Sequence, residues 1–125
     1  MTLPSADQIL AGYAFLARRH GIVDRTISER GVRAALADAA VLADGDDATE
    51  PAAIFYAFAR RPRITRGAWV ELADVLADTQ ARSVGLAVTA GPGDLRALMV
   101  SVASRSADFA EVRAWFAARL TPRER

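Results

Sequence analysis

Cysteine and lysine are both absent from this 125-residue chain, and histidine occurs once. Without cysteine there are no disulfides, no thiolate metal site and no thiol nucleophile. The lone His20 has no second histidine with which to build a zinc site, and the carboxylates lack the spacing of an oxygen-only site. No apolar run reaches the roughly 18 residues of a membrane span, and the opening Met-Thr-Leu-Pro-Ser-Ala-Asp lacks the basic-then-apolar order of a signal peptide. The expected location is therefore the cytoplasm, with no membrane partner. A dominant charge is missing too, since 16 arginines offset 15 acids to leave +1. A protein that coats polyanions needs a large basic excess, so nucleic acid is disfavoured as a partner.

What is present is apolar and helical. Hydrophobic residues make up 52% of the chain and charged ones 25%, the balance of an ordinary globular protein. A single domain over residues 1–125 can bury a core at this length without staples. The all-arginine cation set, with abundant alanine, fits the bias of a GC-rich bacterial genome.

The helix signals follow one another along the chain. Ser5 and Gln8 have capping-box spacing before Ile9, Leu10, Tyr13, Phe15 and Leu16, and Gly21 is a natural stop. His20, at that helix end, reads as a capping residue rather than a catalytic one. Thr26 and Glu29 make a second candidate box before Val32, Leu36, Ala39, Ala40 and Leu42. The polar stretch 44–50 is a loop, with Thr49 as the N-cap of an unusually apolar helix, Pro51 to Ala59. Trp69, Leu72, Ala73, Leu76 and Gln80 place the next helix between Ala68 and about Arg82, ended by Gly85. Leu86 to Thr89 is short and apolar enough to be extended. Ala90-Gly-Pro-Gly93 is a turn rather than a phosphate loop, because no Lys-Ser/Thr follows it. Asp94 then caps a helix to Ala103. Asp108 and Glu111 open a last one carrying Val112, Trp115, Phe116 and Leu120, which Pro122 ends. The predicted fold is all-α, a bundle of about six helices around the central helix 51–60, with at most a short extended segment near 86–89. Its aromatics, Phe15 and Phe109 included, fall on core spacing rather than forming a base-stacking platform.

The richest local chemistry is the junction after the central helix, Arg60-Arg-Pro-Arg-Ile-Thr-Arg-Gly67. Arg60, Arg61, Arg63 and Arg66, with backbone N–H groups near Gly67 and with Trp69 as a possible wall, could bind an anion or a partner's carboxylates. The plainer alternative is a solvated turn that pairs with Asp44, Asp46, Asp47 and Glu50, a contribution of about 0–1 kcal/mol per surface pair.

Several segments, in order and spacing, resemble the Doc branch of the Fic/Doc family, the toxin halves of bacterial toxin–antitoxin pairs. The likeness runs from about residue 3 to 120. Leu3-Pro-Ser-Ala-Asp-Gln-Ile-Leu leads to Arg18-Arg-His-Gly, like the family's first helix and its "RYGG" end. Ile27-Ser-Glu-Arg-Gly-Val-Arg-Ala-Ala-Leu resembles "RD-x-GLLESAL", Thr49 to Arg60 the alanine-rich central helix ending in "AR", Val84-Gly-Leu the "NGY", and Phe109-Ala-Glu-Val-Arg-Ala-Trp-Phe the closing "LEELAAWL".

The family's diagnostic segment, H-x-F-x-D/E-G/A-N-x-R, supplies a general base, a Mg²⁺ ligand and a phosphate cradle for nucleotidyl or phosphoryl transfer. Here the matching stretch begins at Pro62 or at Arg61. In the first register Pro62 stands at the His position, Arg66 at the acid and Ala68 at the Asn. In the second, Arg61, Thr65 and Gly67 stand there. Neither register provides a base or a metal ligand, so no catalytic residue carries over and no cofactor is expected. The resemblance thus implies a catalytically degenerate protein that works by binding a protein partner, either an antitoxin helix in a groove beside the central helix or the family's target. The alternative is a residual nucleotide binder or transferase that holds ATP phosphates on the Arg60–Arg66 turn.

Overall fold

The structure, a computed structural model, describes residues 3–91 and 93–123. The element order is α1 (Ala6–Arg19), α2 (Glu29–Ala43), α3 (Glu50–Ala59), α4 (Trp69–Ser83), β1 (Leu86–Val88), α5 (Asp94–Ala103), α6 (Phe109–Ala117) and β2 (Leu120–Pro122). It is an all-α fold with one short two-stranded element. The reason lies in α3, which has no polar face to leave in water. Every residue of α3 except Tyr56 is buried, and α2, α4, α5 and α6 pack around it. Its alanines let the neighbouring helices approach closely, while Ile54, Phe55 and Phe58 fill the space between them. Complete burial of each of those three contributes about 1.5–3 kcal/mol.

The ends of α1 follow from its sequence. Ser5 and Gln8 form the reciprocal box, with the Gln8 N–H donating to Ser5 Oγ at 3.1 Å and the Ser5 N–H to Gln8 Oε1 at 2.9 Å. At the other end Gly21 adopts φ +67°. The Gly21 N–H donates to the Arg18 carbonyl and the Ile22 N–H to that of Ala17, the Schellman arrangement. Asp108 and Glu111 cap α6 in the expected reciprocal way.

Three helix starts are capped differently from expectation. Ser28, not Thr26, caps α2 and accepts from the Gly31 N–H at 2.9 Å. Thr26 is engaged by Asp24, to which both its hydroxyl and its N–H donate. These two bonds hold the Asp24 carboxyl below its ordinary range. Thr49 does stand at the N-cap of α3, but its hydroxyl donates to Asp46 instead of accepting from the helix. Asp94 is the first residue of α5 rather than its cap. Gly93 takes the cap position with φ +88°, and Asp94 accepts from the Gly91 N–H at 2.9 Å. Within the expected 90–93 turn, Pro92 lies outside the described residues.

The last helix ends at Ala117, so Leu120 belongs to a strand and not to α6. β1 and β2 pair antiparallel with Ala87 opposite Thr121 and Val88 opposite Leu120, which gives the backbone groups of Leu86–Val88 hydrogen-bond partners. Phe15 also departs from its expected core role and is 66% exposed. The buried positions of α1 are Ala6, Ile9, Tyr13 and Ala17, and Phe15, two residues from Tyr13, projects from the opposite side of the helix. No helix of the described residues is long and apolar enough to cross a membrane.

Candidate functional site: an arginine-lined basin

A short antiparallel contact fixes the arginine turn in place. Ile27 and Thr65 form an isolated bridge, flanked by the Ser28 N–H donating to the Ile64 carbonyl at 2.8 Å and the Arg66 N–H to that of Thr26 at 3.2 Å. Buried Ile64 anchors the turn in the core. Its Cγ1 packs where a Cβ on Gly31 would stand, 3.0 Å away, so a side chain at position 31 would push on the turn. The junction is therefore a built corner between α3 and α2 and not a loose solvated loop.

Three of the expected site residues, Arg60, Arg61 and Arg63, meet at one concavity of about 410 Å³. Ser28 and Gly31 from the start of α2 and Arg105 from the end of α5 complete its polar wall. The arginines differ in their engagements. Arg60 lies with its guanidinium 5.2 Å from the centroid of the Tyr56 ring. Arg61 donates to the Ala57 carbonyl at 2.8 Å and pairs with Asp38 of α2. That ion pair replaces the expected one with the acidic loop. Glu50 of that loop is instead buried and accepts from Gln80, while Asp46 accepts from Thr49 and from the Ala48 N–H, bonds that lower its pKa. Arg63 and Arg105 form no ion pair among the described residues.

The other three expected residues lie elsewhere. Arg66 is exposed, and its charge acts on Asp24. The Gly67 carbonyl accepts the Tyr13 hydroxyl at 2.7 Å, and its Cα side is closed by Ile22. Trp69 does not wall the basin, because its indole N–H donates to the Phe58 carbonyl at 3.1 Å and its ring packs on the core. Of the positions matching the diagnostic segment, Pro62 and Arg61 line the basin. Thr65 is buried, with its hydroxyl unpartnered among the described residues. Arg105 was missed because nothing in the linear chain ties position 105 to position 60; its φ of +66° past the end of α5 is visible only in three dimensions.

Chemically the basin is cationic. Two guanidinium groups without an ion pair among the described residues, those of Arg63 and Arg105, and the N-terminus of a 15-residue helix line one concavity. Its lining among the described residues contains no carboxylate, histidine or other side chain suited to general-base work at neutral pH. Among the described residues no group of three or more His, Asp or Glu could hold a metal ion.

A second concavity, also about 410 Å³, is an apolar groove between α1 and α4, with Ile9, Gly12, Leu16, Leu72, Val75 and Leu76 among its lining residues. No residue of α3 lines it. This groove lies one layer out from α3, which its neighbours enclose. No family model matches the chain, and no curated protein sequence matches it.

Proposed function

We propose that the chain is a catalytically degenerate, Doc-like protein of toxin–antitoxin type that works by binding, and that its basin engages an acidic segment of a protein partner. The observation that carries this reading is the convergence of Arg63 and Arg105 on a concavity where, among the described residues, neither forms an ion pair and no carboxylate lines the wall. Guanidinium groups recognise carboxylates in bidentate fashion. The positions where the family resemblance would require a base and a metal ligand hold Arg61 or Pro62 and Thr65 or Arg66, which favours binding over group transfer.

A second reading, the phosphates of a nucleotide such as ATP in the same basin, has one observation in its favour. Ser28 and the N-terminus of α2 form part of the wall, and helix N-termini suit phosphate. Calorimetric titration with a short glutamate-rich peptide, and separately with ATP and Mg²⁺, distinguishes the two. Heat from the peptide that disappears in Arg63→Ala and Arg105→Ala supports the acidic-partner reading. Heat from ATP that disappears in the same variants transfers the site to nucleotide. No heat from either ligand overturns both.

A further inference from the structure

After α1, α2 and α4 the residue two positions past the helix is a left-handed glycine. Gly21, Gly45 and Gly85 stand there with φ of +67°, +74° and +78°. After α5 the same position holds Arg105 at φ +66°, where the Cβ of an L residue crowds the following carbonyl. The hydrogen bonds of the turn are nevertheless complete. The Arg105 N–H donates to the Val102 carbonyl at 3.1 Å and the Ser106 N–H to that of Ser101 at 2.9 Å. The Ser101 carbonyl also accepts the Ala107 N–H at 3.0 Å and the Ser106 hydroxyl at 3.1 Å. Ser106 and Ala107 thus hold the strained turn in place.

Nothing among the described residues offsets that strain through the side chain, since Arg105 is exposed and forms no ion pair there. The helix dipole does not require it either. A cation in the last turn meets the negative helix end without strain, as Arg18 and Arg19 do in α1 and Arg82 in α4. The last turn of α5 has no basic residue. What the left-handed position supplies is a second guanidinium in the wall of the basin that Arg63 also lines.

We propose that Arg105 is the specificity-determining residue of the basin, held by the Ser101–Ser106 grip so that the site selects a segment with two carboxylates over one with a single acid. The proposal rests on the acidic-partner reading. Arg63 follows α3 and Arg105 follows α5, so the two guanidinium groups stand on separately anchored elements. Each takes one carboxylate through parallel hydrogen bonds. A ligand that meets both gains the second contact without losing its translational freedom again. Ser106 is then a positioning residue, acting only through Arg105.

Calorimetric titration of the full chain with two peptides tests it, one carrying two glutamates and the other a glutamate and a glutamine. The expected result is a preference of about tenfold for the two-acid peptide. Arg105→Gly binds both peptides alike and unfolds at a higher urea midpoint, because glycine relaxes the turn. Arg96→Ala, which removes the same charge at the other end of α5, keeps the preference. Ser106→Ala reduces the preference in the parent and changes nothing in the Arg105→Gly background, a dependence that a general loss of stability does not produce. A preference that survives Arg105→Gly, or that Arg96→Ala removes equally, overturns the proposal and leaves the acidic-partner reading standing. So does an Arg105→Gly variant less stable than the parent, since the turn is then unstrained. No heat from either peptide overturns that reading and the proposal together.

Discussion

The Gln80 side-chain amide donates to the Glu50 carboxylate at 2.7 Å, with both residues buried and 30 positions apart. This bond ties the N-terminal turn of α3 to the last half of α4. It also resolves why a charged residue tolerates the core, since the carboxylate sits at the positive end of α3 with a donor facing it. Gln80→Leu leaves the carboxylate buried without that donor, and the expected cost is about 2–3 kcal/mol. Adding Glu50→Gln to the Gln80→Leu variant recovers part of it. Urea unfolding checks both as a shift of midpoint at constant slope.

Tyr13 is 1% exposed and anchors α1 through its hydroxyl on the Gly67 carbonyl. Tyr13→Phe keeps the ring and removes the bond, so the expected loss is about 1 kcal/mol, rising if the carbonyl stays dry. Gly67→Ala acts on the same junction by another route. Its new Cβ would stand 2.9 Å from Ile22 Cγ2, closer than a methyl contact allows, and Ile22 must shift. Thermal unfolding of the two single variants and their double reports whether their effects add, and the shared contact predicts that they do not.

The helices were legible because periodicity and end chemistry agree along most of the chain. Ser5 with Gln8, Gly21, and Asp108 with Glu111 act locally, so a linear reading suffices for them. Two helix starts were misread: at α2 Thr26 and Ser28 compete and a tertiary contact decides for Ser28, whereas at α5 the left-handed Gly93 takes the cap and Asp94 accepts from the Gly91 N–H. The Ile27–Thr65 bridge keeps residues 26–28 extended, a pairing 38 positions apart that no local pattern announces. β2 escaped for the same reason, because Leu120–Pro122 becomes a strand only beside β1. At the candidate site, the cluster Arg60, Arg61 and Arg63 was visible as a run. The division of labour among them depends on Asp38 and Arg105, each brought in by a different helix.

Asp74 lines a cavity of about 290 Å³ at the α4–β1 side, with Asp78, Val88 and Gly91 nearby. Partial burial, then the charges of Asp78 and Glu71, raise its pKa above the ordinary 3.8. The native chain therefore holds this proton more readily than the unfolded chain does. Stability from the group is fully present below the ordinary value and is lost as pH rises through the folded one. Asp74→Asn is expected to match the parent in acid and to exceed it at neutral pH. Denaturant midpoints for both proteins across that range test it, and a constant difference at every pH would contradict the assignment.

Arg61 and Arg63 are two residues apart, yet Arg61 is bonded to Ala57 and Asp38 while Arg63 is exposed. The Arg61 side chain is only 28% exposed, and it joins the C-terminal carbonyl of Ala57 to Asp38 on α2. It thereby neutralises the negative end of α3 and links two helices. Arg61→Ala removes a hydrogen bond and an ion pair of intermediate exposure, an expected loss of about 1–2 kcal/mol. Asp38→Ala should lose less, because the Ala57 carbonyl keeps its donor. Arg63 is exposed and bonded to nothing among the described residues, so Arg63→Ala leaves stability within about 0.5 kcal/mol of the parent. The ordering reverses for ligand binding. Arg63→Ala weakens an acidic peptide by several-fold or more, whereas Arg61→Ala weakens it less, because Asp38 already offsets that charge. Unfolding curves and calorimetric titrations on the same two variants measure this crossing directly. Parallel losses in both assays would mean that the arginine turn is one structural unit without a separate receptor role.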